Sequence, residues 1–331
     1  MTVVYHEADG DLTFLDGKVV SIIGYGNMGR PAALNLRDSG VNVLVSEPRE
    51  EKQEEAAAEG FTLTDLHDAV KAADIIMPLL RDEAMPQIYL DQVTPHIRRG
   101  QTLIFSSAYN ITFGFIEAPP FVDVGLVSAR TMGPAVRSRY ESGEGYASFV
   151  AVAQDASRSA WNTVLAIAKA MGALRWGAVE IRFEQEAELD LFLQQSVLPA
   201  LHHVVITAAQ MLMRSGYAPE AVFTELYLSG ETSDYLRQAA QFGLMNALKM
   251  HSLTGQYGTL SRFDRFSEGR LEQMMEKTLD EIRTGKFAQE WAREFAADYP
   301  RLRQLLKARE GMEMWELEQQ TLDMLHDSRF Q

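Results

Sequence analysis

Three glycines near the start of the chain have the spacing G-x-G-x-x-G, within the stretch GYGNMG at residues 24–29. An apolar, β-branched segment precedes them, and a segment with helical periodicity follows. In a strand–turn–helix unit of this kind, Gly24 makes the tight turn, Gly26 lets the backbone approach a pyrophosphate, and Gly29 lets the helix pack on the strand. The helix N-terminus faces the phosphates. The pattern therefore predicts a dinucleotide-binding site that also includes Asn27 and Met28.

An acid follows the second predicted strand, where folds of this kind bind the ribose of a dinucleotide. Glu47 could accept hydrogen bonds from both ribose hydroxyls, and its charge would repel a 2′-phosphate, which favours NADH. Arg49 could instead clamp that phosphate and favour NADPH. Since the rest of the loop, EEKQEE, is rich in acids, we expect NADH rather than NADPH. Both residues could also be ordinary loop side chains.

Short strand and helix patterns alternate over the first half of the chain. This alternation predicts an α/β fold with a Rossmann-type, doubly wound parallel sheet in residues 1–182. After Arg182 the periodicity is helical, so residues 183–331 are expected to form an all-α domain for substrate binding and dimerisation. The predicted strands are Lys18–Gly24, Val41–Ser46, Ala73–Leu80, Gln101–Ser107, Phe121–Ala129, Ala147–Gln154 and a segment near Ala173–Val179, and the predicted helices between them are Asn27–Ser39, Glu50–Glu59, Thr64–Ala73, Pro86–His96 and Ser157–Met171.

The composition narrows the range of partners. The formal charge is −15, from 31 basic and 46 acidic residues, which disfavours binding to nucleic acid and to anionic membranes. The chain has no cysteine, so disulfides and zinc–thiolate sites are excluded and a cytoplasmic location is expected. We find no signal-peptide pattern and expect no stretch long and apolar enough to cross a bilayer. A small-molecule substrate is expected and, from apolar helices such as SVLPALHHVVITAAQMLM, a homodimer.

Longer stretches of the chain resemble one enzyme family. GYGNMGRPAALNLRDSG resembles GYGSQGHAHALNLRDSG of the short, class I ketol-acid reductoisomerases, and FSSAYNITFG resembles their FAHGFNIHFG. FEQEAELDLFLQQSVL similarly resembles FKEETETDLFGEQAVL, and the likeness covers nearly the whole chain. The resemblance implies a Rossmann domain followed by a deeply knotted helical domain, paired in a dimer. It also implies reduction and rearrangement of acetohydroxy acids with NADPH and two magnesium ions.

Several positions that hold metal in that family differ here. Asp190 matches the family's bridging aspartate, but the partner glutamate is Gln194, and a neutral amide is a poorer magnesium ligand than a carboxylate. The segment FTELYLS is aligned with the family's FECLHE, which puts Thr224 and Leu228 at two acidic positions. We therefore predict that no metal is bound and that the alkyl migration, which needs a metal electrophile, is lost.

The same resemblance suggests which residues still act on a substrate. Asp190 could stabilise a cationic imine or give a proton to a ketone oxygen or imine nitrogen. Arg130, in place of the family's lysine, could bind a substrate carboxylate or merely pair with an acid. Ser107, in place of the family's histidine, and Tyr109 follow a predicted strand and could donate hydrogen bonds, or they could be structural. Ser252 matches a serine that the family retains.

Three functions follow from this pattern. The first is a metal-independent, NAD(P)H-dependent oxidoreductase that reduces a C=N or C=O bond of a small organic substrate, in specialised metabolism. The second is a catalytically inactive dinucleotide-binding sensor or scaffold. The third is a magnesium-dependent reductoisomerase with a metal site rebuilt from Asp190, Glu186 and Glu231.

Overall fold

The computed structural model describes residues 2–266 and 269–325 and divides into two compact units at the Asp190–Leu191 bond. The first unit carries nine strands in one sheet. The strands are β1 (Val4–Tyr5), β2 (Val19–Ile23), β3 (Asn42–Ser46), β4 (Thr62–Leu63), β5 (Ile75–Pro78), β6 (Thr102–Phe105), β7 (Asp123–Ala129), β8 (Ser148–Gln154) and β9 (Ala178–Glu180).

Helices separate the strands along the chain. They are α1 (Gly29–Asp38), α2 (Glu50–Ala58), α3 (Leu66–Ala72), α4 (Met85–Ile88), α5 (Tyr109–Thr112), α6 (Gly133–Glu141), α7 (Ala160–Met171), α8 (Ala173–Trp176) and α9 (Phe183–Phe192), and α9 crosses from the first unit into the second. The expected alternation of strands and helices is confirmed, and α5 and α6 are additions that the sequence patterns did not indicate.

The strand order is β1-β9-β8-β7-β6-β5-β2-β3-β4. The sheet is mixed and not wholly parallel as expected, because β8 runs antiparallel to β7 and β1 runs antiparallel to β9. The reversal arises because the chain leaves β7 at Ala129 and re-enters the sheet at Ser148, which is paired with Ala129. The intervening segment therefore returns to the same edge of the sheet and does not cross to the other.

The strand expected near Ala173–Val179 is displaced in the structure. Residues 173–176 form the short helix α8, and only Ala178–Glu180 are extended. Gly172 ends α7 with φ +88° and Gly177 ends α8 with φ +124°. Since both glycines adopt left-handed backbone conformations, the apolar residues between them close one extra helical turn before the chain becomes a strand.

The core of the first unit covers both faces of the sheet. Strands β2, β5 and β6 are buried almost throughout, as expected of parallel strands with helices on both sides. One cluster packs α1 and α7 against one face, through Leu36 and Ile167 among others. The other cluster contains Ile76, Leu103 and Phe105 from the strands. This buried sheet fixes the strand ends from which the site residues project.

The second unit is helical, as expected. Its described helices after α9 are α10 (Leu198–Arg214), α11 (Pro219–Phe223), α12 (Glu231–Phe242), α13 (Leu244–Leu248), α14 (Leu253–Leu260), α15 (Gly269–Arg283), α16 (Lys286–Ala296), α17 (Pro300–Glu310) and α18 (Glu313–Leu325). A small core joins α10, α11 and α18 through Ala209, Phe223 and Met314. Two π-helical turns, Leu193–Val197 and Thr224–Leu228, interrupt the regular helices.

One expectation about this region is wrong. Helix Phe183–Arg214 is 32 residues long, and by length and composition it is apolar enough to cross a membrane. The helix reaches this length because it continues from α9 through the π-helical turn Leu193–Val197 into α10. In its most apolar window only 11% of the residues are buried, so most of this apolar surface is exposed on the single chain.

Candidate functional site

The glycine turn has the backbone geometry that its spacing predicts. Gly24 has φ +98°, and a Cβ there would lie 2.7 Å from the carbonyl oxygen of Leu79. A Cβ on Gly29 would lie 1.8 Å from the carbonyl oxygen of Gly24, so only glycine lets α1 approach β2 this closely. Around Gly26 the nearest atom to such a Cβ would be a guanidinium nitrogen of Arg49 at 3.8 Å, which leaves the backbone open to a ligand.

A cleft of about 1520 Å³ lies beside this turn, within the first unit. Asn27 and Met28 line it, as do Glu47 after β3, Asp82 after β5 and Ser107 after β6. These residues follow the carboxyl ends of neighbouring parallel strands, the edge at which open α/β sheets bind their ligands. The structure therefore brings the predicted cofactor residues together at one edge of the sheet.

Gly133 is a further element of the cleft that the sequence patterns did not single out. It begins α6, and a Cβ at this position would lie 1.9 Å from the carbonyl oxygen of Asn27. The first turn of α6 therefore packs directly against the glycine turn, and both Gly133 and Pro134 line the cleft. The signal was the glycine–proline pair after β7, which marks a close backbone approach.

Glu47 and Arg49 interact with each other at the ribose end of the cleft. The Glu47 carboxylate is buried and accepts hydrogen bonds from the Tyr25 amide at 2.6 Å and from the Arg49 amide at 3.0 Å. It also accepts from Nε and Nη2 of the Arg49 guanidinium, at 2.8 and 2.9 Å. Burial would raise the pKa of Glu47, but these donors together hold that pKa below its usual value. The carboxylate is thus ionised and already bound by a guanidinium.

Other basic side chains that line the cleft also have acidic partners. Arg30 pairs with Glu59, Lys52 pairs with Glu55 at 2.6 Å, and Arg137 pairs with Asp38 at 2.6 Å. Arg37 pairs with Asp38 at 2.8 Å. An additional phosphate at this end of the cleft would have to compete with these carboxylates for the basic side chains.

Arg130 and Asp190 form an ion pair in the first unit. Nη2 of Arg130 donates to Oδ1 of Asp190 at 2.8 Å, and Nη1 lies 3.5 Å from Oε1 of Glu186. Glu186 is buried and also accepts from the Ala108 amide at 2.8 Å and the Ser128 hydroxyl at 2.7 Å. Of the two roles considered for Arg130, pairing with an acid is therefore observed.

Two carboxyl groups near this pair have raised pKa values. Burial is the main cause of the raised pKa of Glu186; its hydrogen bonds and Arg130 oppose the shift, and repulsion from Asp190 adds to it. Burial also raises the pKa of Asp82 to about 7, with further contributions from the charges of Glu83, Asp190 and Glu186. Asp82 is the cleft residue that the sequence reasoning missed, since a lone acid in LLRDEA carries no motif of its own.

Ser107 and Tyr109 follow β6 as expected. The Ser107 hydroxyl accepts a bond from the Tyr109 amide at 3.3 Å, and Ser107 lines the cleft. Tyr109 is buried and packs against Phe113 and Phe115, with ring centroids 5.1 and 5.9 Å away. Its hydroxyl is buried with no hydrogen-bond partner among the residues that the structure describes. Burial, together with the charges of Asp82 and Glu83, raises the pKa of the Tyr109 phenol.

The remaining predicted residues lie in the second unit. Ser252 is the N-cap of α14, where its hydroxyl accepts from the Gly255 amide at 3.2 Å. Gln194 lies in the π-helical turn after α9. The other π-helical turn contains Thr224, Glu225 and Leu228. Glu225 is thus a carboxylate next to Thr224, which stands where the resemblance implies an acid.

Comparisons with known proteins agree with this arrangement. Residues 14–177 match the family described as acetohydroxy acid isomeroreductase, NADPH-binding domain, and residues 183–327 match the ketol-acid reductoisomerase C-terminal domain. The chain belongs to the ketol-acid reductoisomerase family. It is therefore related to NAD(P)H-dependent oxidoreductases, and the predicted family and fold are confirmed.

Individual relatives of the ketol-acid reductoisomerase family support the same conclusion. The chain is 36% identical over 310 residues to the ketol-acid reductoisomerase (NADP(+)) of Pyrobaculum calidifontis, covering 93% of this chain and 94% of that protein. It is 37% identical over 310 residues to the enzyme of the same name from Pyrobaculum arsenaticum, with the same coverage. A solved NADH-preferring ketol-acid reductoisomerase from an uncultured archaeon superposes with a TM-score of 0.91 at 30% identity, covering 96% of this chain and 98% of that one.

The donor set of this chain fits the family's two magnesium ions poorly. Magnesium prefers several oxygen ligands in near-octahedral geometry, usually carboxylates and water. Here Asp190 is bound by a guanidinium, and Gln194 offers a neutral amide one helical turn later. In the described part of the chain, no three His, Asp or Glu side chains are grouped so that they could hold a metal. Of the acids that the resemblance assigns to metal, Asp190 is present, whereas Gln194, Thr224 and Leu228 stand at the other positions.

Proposed function

We propose that the protein is a metal-independent, NAD(P)H-dependent reductase of a C=N or C=O bond in a small organic substrate, without the isomerase step of its relatives. The observation that carries the proposal is the 2.8 Å ion pair between Arg130 and Asp190. The ion pair places the permanent positive charge of Arg130 beside Asp190, the carboxylate that the resemblance assigns to metal. A carbonyl activated without metal needs other sources of positive charge or acid.

A bound nicotinamide would supply the hydride, and the chain would supply binding, orientation and charge. The glycine turn and the N-terminus of α1 would bind the pyrophosphate. Asp82 lines the same cleft, and because its pKa is about 7 it holds a proton on the acidic side of neutrality. A carboxyl group with this pKa is suited to donate the proton that the reduced nitrogen or oxygen takes up.

We further propose that NADH is preferred to NADPH. The buried Glu47 carboxylate at the end of β3 disfavours a 2′-phosphate, and Arg49 is already engaged by it. The solved relative with the high TM-score is described as NADH-preferring, whereas the Pyrobaculum relatives are named for NADP(+). These features favour NADH within a fold that can take either cofactor.

A place in specialised metabolism, in the cytoplasm, fits the same set of changes. The replaced family positions are those for metal and proton transfer, whereas the cofactor turn is kept. A change of substrate accounts for that distribution better than a general loss of function does. The absence of cysteines is compatible with a reducing compartment.

We propose a homodimer formed through the apolar helix Phe183–Arg214. Val204 is 60% exposed and Leu201 and Met211 are also exposed on the single chain, although the helix is strongly apolar. A second copy of the chain would cover these side chains. Val204→Asp is expected to shift the mass measured by light scattering from dimer to monomer, and a monomeric unsubstituted protein would refute the proposal.

The test of the reductase is the loss of nicotinamide absorbance at 340 nm. Purified protein is mixed with NADH or NADPH and, in turn, 2-acetolactate, 2-methyl-1-pyrroline and 3-hydroxypyruvate, each with magnesium or with excess EDTA. Turnover of the imine or the keto acid in EDTA supports the proposal. Reduced nicotinamides absorb at about this wavelength, so the loss of absorbance follows hydride transfer from the cofactor.

Two other functions remain as outcomes of the same assay. Magnesium-dependent turnover of 2-acetolactate would favour a reductoisomerase, a function that the identity of 36–37% to curated reductoisomerases supports. Tight NADH binding without turnover of any of the three compounds would favour a sensor or scaffold.

A further inference from the structure

Arg130 is held in place from several directions. It follows β7 directly, and its amide donates to the Ala147 carbonyl at 2.8 Å. Its guanidinium lies over the ring of Phe149, 5.2 Å from the ring centroid. The same guanidinium contacts Asp190 at 2.8 Å and Glu186 at 3.5 Å. The side chain is thus fixed by strand, ring and two carboxylates, and little freedom remains to swing away.

We propose that the Arg130 guanidinium is a resident cation that takes the place of a divalent metal at Asp190 and keeps this carboxylate from binding one. This inference deepens the proposed function and rests on its metal independence. By this inference Arg130 itself excludes the metal, in addition to the effect of the acids replaced at Gln194, Thr224 and Leu228.

Charge supplies the physical reason. The lysine that the resemblance implies at this position is also cationic, but a buried lysine can lose its proton. An arginine in a protein cannot be deprotonated, so the positive charge of Arg130 persists at every working pH. A divalent cation on Asp190 would lie within a few ångströms of that charge, where like charges repel strongly at the low effective dielectric of a partly buried site. The metal would also have to displace a charge-assisted hydrogen bond of 2.8 Å.

Glu186 reinforces the arrangement. Its Oε2 accepts from the Ala108 amide and its Oε1 from the Ser128 hydroxyl, so the carboxylate is anchored to the backbone after β6 and to β7. A carboxylate fixed in this way cannot turn to complete a metal's coordination sphere. The planar fork of arginine can contact both Glu186 and Asp190, whereas a lysine would offer a single point of charge.

The experiment measures Mn²⁺ binding to the full chain by electron paramagnetic resonance, with Mn²⁺ as a probe for divalent cations. The wild type is expected to bind only in the millimolar range, and Arg130→Gln at least tenfold more tightly. Adding Asp190→Asn to Arg130→Gln should remove that gain. Arg182→Gln is the matched control, because Arg182 is 74% exposed and lies 3.9 Å from its acidic partner Glu184. It should leave the affinity unchanged.

A second variant covers a failure of Arg130→Gln to fold. Gln194→Glu restores a carboxylate one helical turn after Asp190 while Arg130 stays in place. It is expected to change the Mn²⁺ affinity less than threefold. Equal Mn²⁺ affinity of the wild type and a folded Arg130→Gln, or tight binding by Gln194→Glu alone, would overturn the inference.

The inference and the proposed function fail in different ways. Magnesium-dependent turnover by the wild type would refute the metal-independent reductase. Micromolar Mn²⁺ binding by the wild type, with turnover that EDTA does not change, would overturn the inference alone. Thermal unfolding and NADH binding of each variant show whether a change in metal affinity reflects the site and not a general loss of structure.

Discussion

Two regions of the first unit differ in how closely they match the family motifs. At the cofactor cleft, Gly24 and Gly29 have a geometry that admits no other residue. At the Arg130–Asp190 ion pair, an arginine stands where the resemblance implies a lysine, and it contacts the carboxylate that the resemblance assigns to metal. The difference indicates that side chains around a reaction site can change while the backbone geometry of a cofactor turn stays the same.

The largest effect is expected from a change in the glycine turn. Gly29→Ala would place a Cβ 1.8 Å from the Gly24 carbonyl oxygen, so the backbone must move. We expect NADH affinity to fall at least about a hundredfold, which is ~3 kcal/mol, and the melting temperature to drop. Calorimetric titration and thermal unfolding measure both quantities.

Gly26→Ala is the matched control for that substitution. The nearest atom to its Cβ would be 3.8 Å away, so the melting temperature should change little while NADH binding weakens. Near wild-type affinity in Gly29→Ala would show that the turn does not carry the cofactor.

Around the Arg130–Asp190 pair, the largest effect is expected from Glu186. Glu186→Leu removes a buried carboxylate and leaves the Ala108 amide, the Ser128 hydroxyl and part of the Arg130 charge unsatisfied. We expect the free energy of unfolding to fall by about 3 kcal/mol, measured by urea unfolding. Glu184→Gln, at a carboxylate that is 62% exposed, should cost less than about 0.5 kcal/mol. Equal costs would show that the buried network adds no stability.

Asp82, whose pKa is raised in part by the charges of Asp190 and Glu186, gives a pH-dependent prediction. The folded pKa of about 7 lies above the unfolded value near 4, so the folded state binds more protons and stability falls as pH rises through this interval. Asp82→Asn removes that fall. The free energy of unfolding of Asp82→Asn, minus that of the wild type, should therefore be higher at pH 8 than at pH 5 by roughly 2 kcal/mol. Urea unfolding measures both proteins at both pH values. If the difference between variant and wild type is the same at pH 5 and pH 8, the raised pKa of Asp82 is contradicted.

The smallest expected effect concerns cofactor choice. Glu47→Gln removes the charge that repels a 2′-phosphate and weakens the hold on Arg49, which can then bind that phosphate. The ratio of NADPH to NADH affinity should rise about tenfold, or ~1.4 kcal/mol, measured by fluorescence titration. Glu50→Gln, at the first residue of α2, is the control and should leave the ratio near its starting value. An unchanged ratio in Glu47→Gln would show that the Glu47 carboxylate does not determine the preference between NADH and NADPH.

Much of the first unit could be predicted from local sequence patterns. The strand β2, the glycine turn and α1 lie within one continuous stretch, Val19 to Asp38, so their geometry follows from short-range sterics. The direction of β8 could not be predicted, because periodicity records which residues are buried and not which way a strand runs. The extra turn α8 could not be predicted either, because its two ends are determined by glycines and not by an apolar pattern.

The candidate site was predictable where a residue sits in a recognisable stretch and unpredictable where a contact joins distant segments. Asp190 and Arg130 stand in family-like motifs, but their pairing spans sixty positions of sequence and appears only in the fold. Asp82 has no motif, and its unusual pKa results from burial among carboxyl groups that come from other elements. Gly133 acts on the turn through Asn27, a contact across more than a hundred residues.

The pairing of Ala129 with Ser148 has an evolutionary consequence. The segment between them, which includes Arg130 and α6, leaves and rejoins the sheet at a single place, so its two ends stay fixed whatever lies between. The entropic cost of lengthening such an excursion grows only slowly with its length. New chemistry could therefore be acquired by changing those parts of the insert that do not pack against the glycine turn or the core, as Gly133 and Val136 do, while the inherited scaffold folds as before.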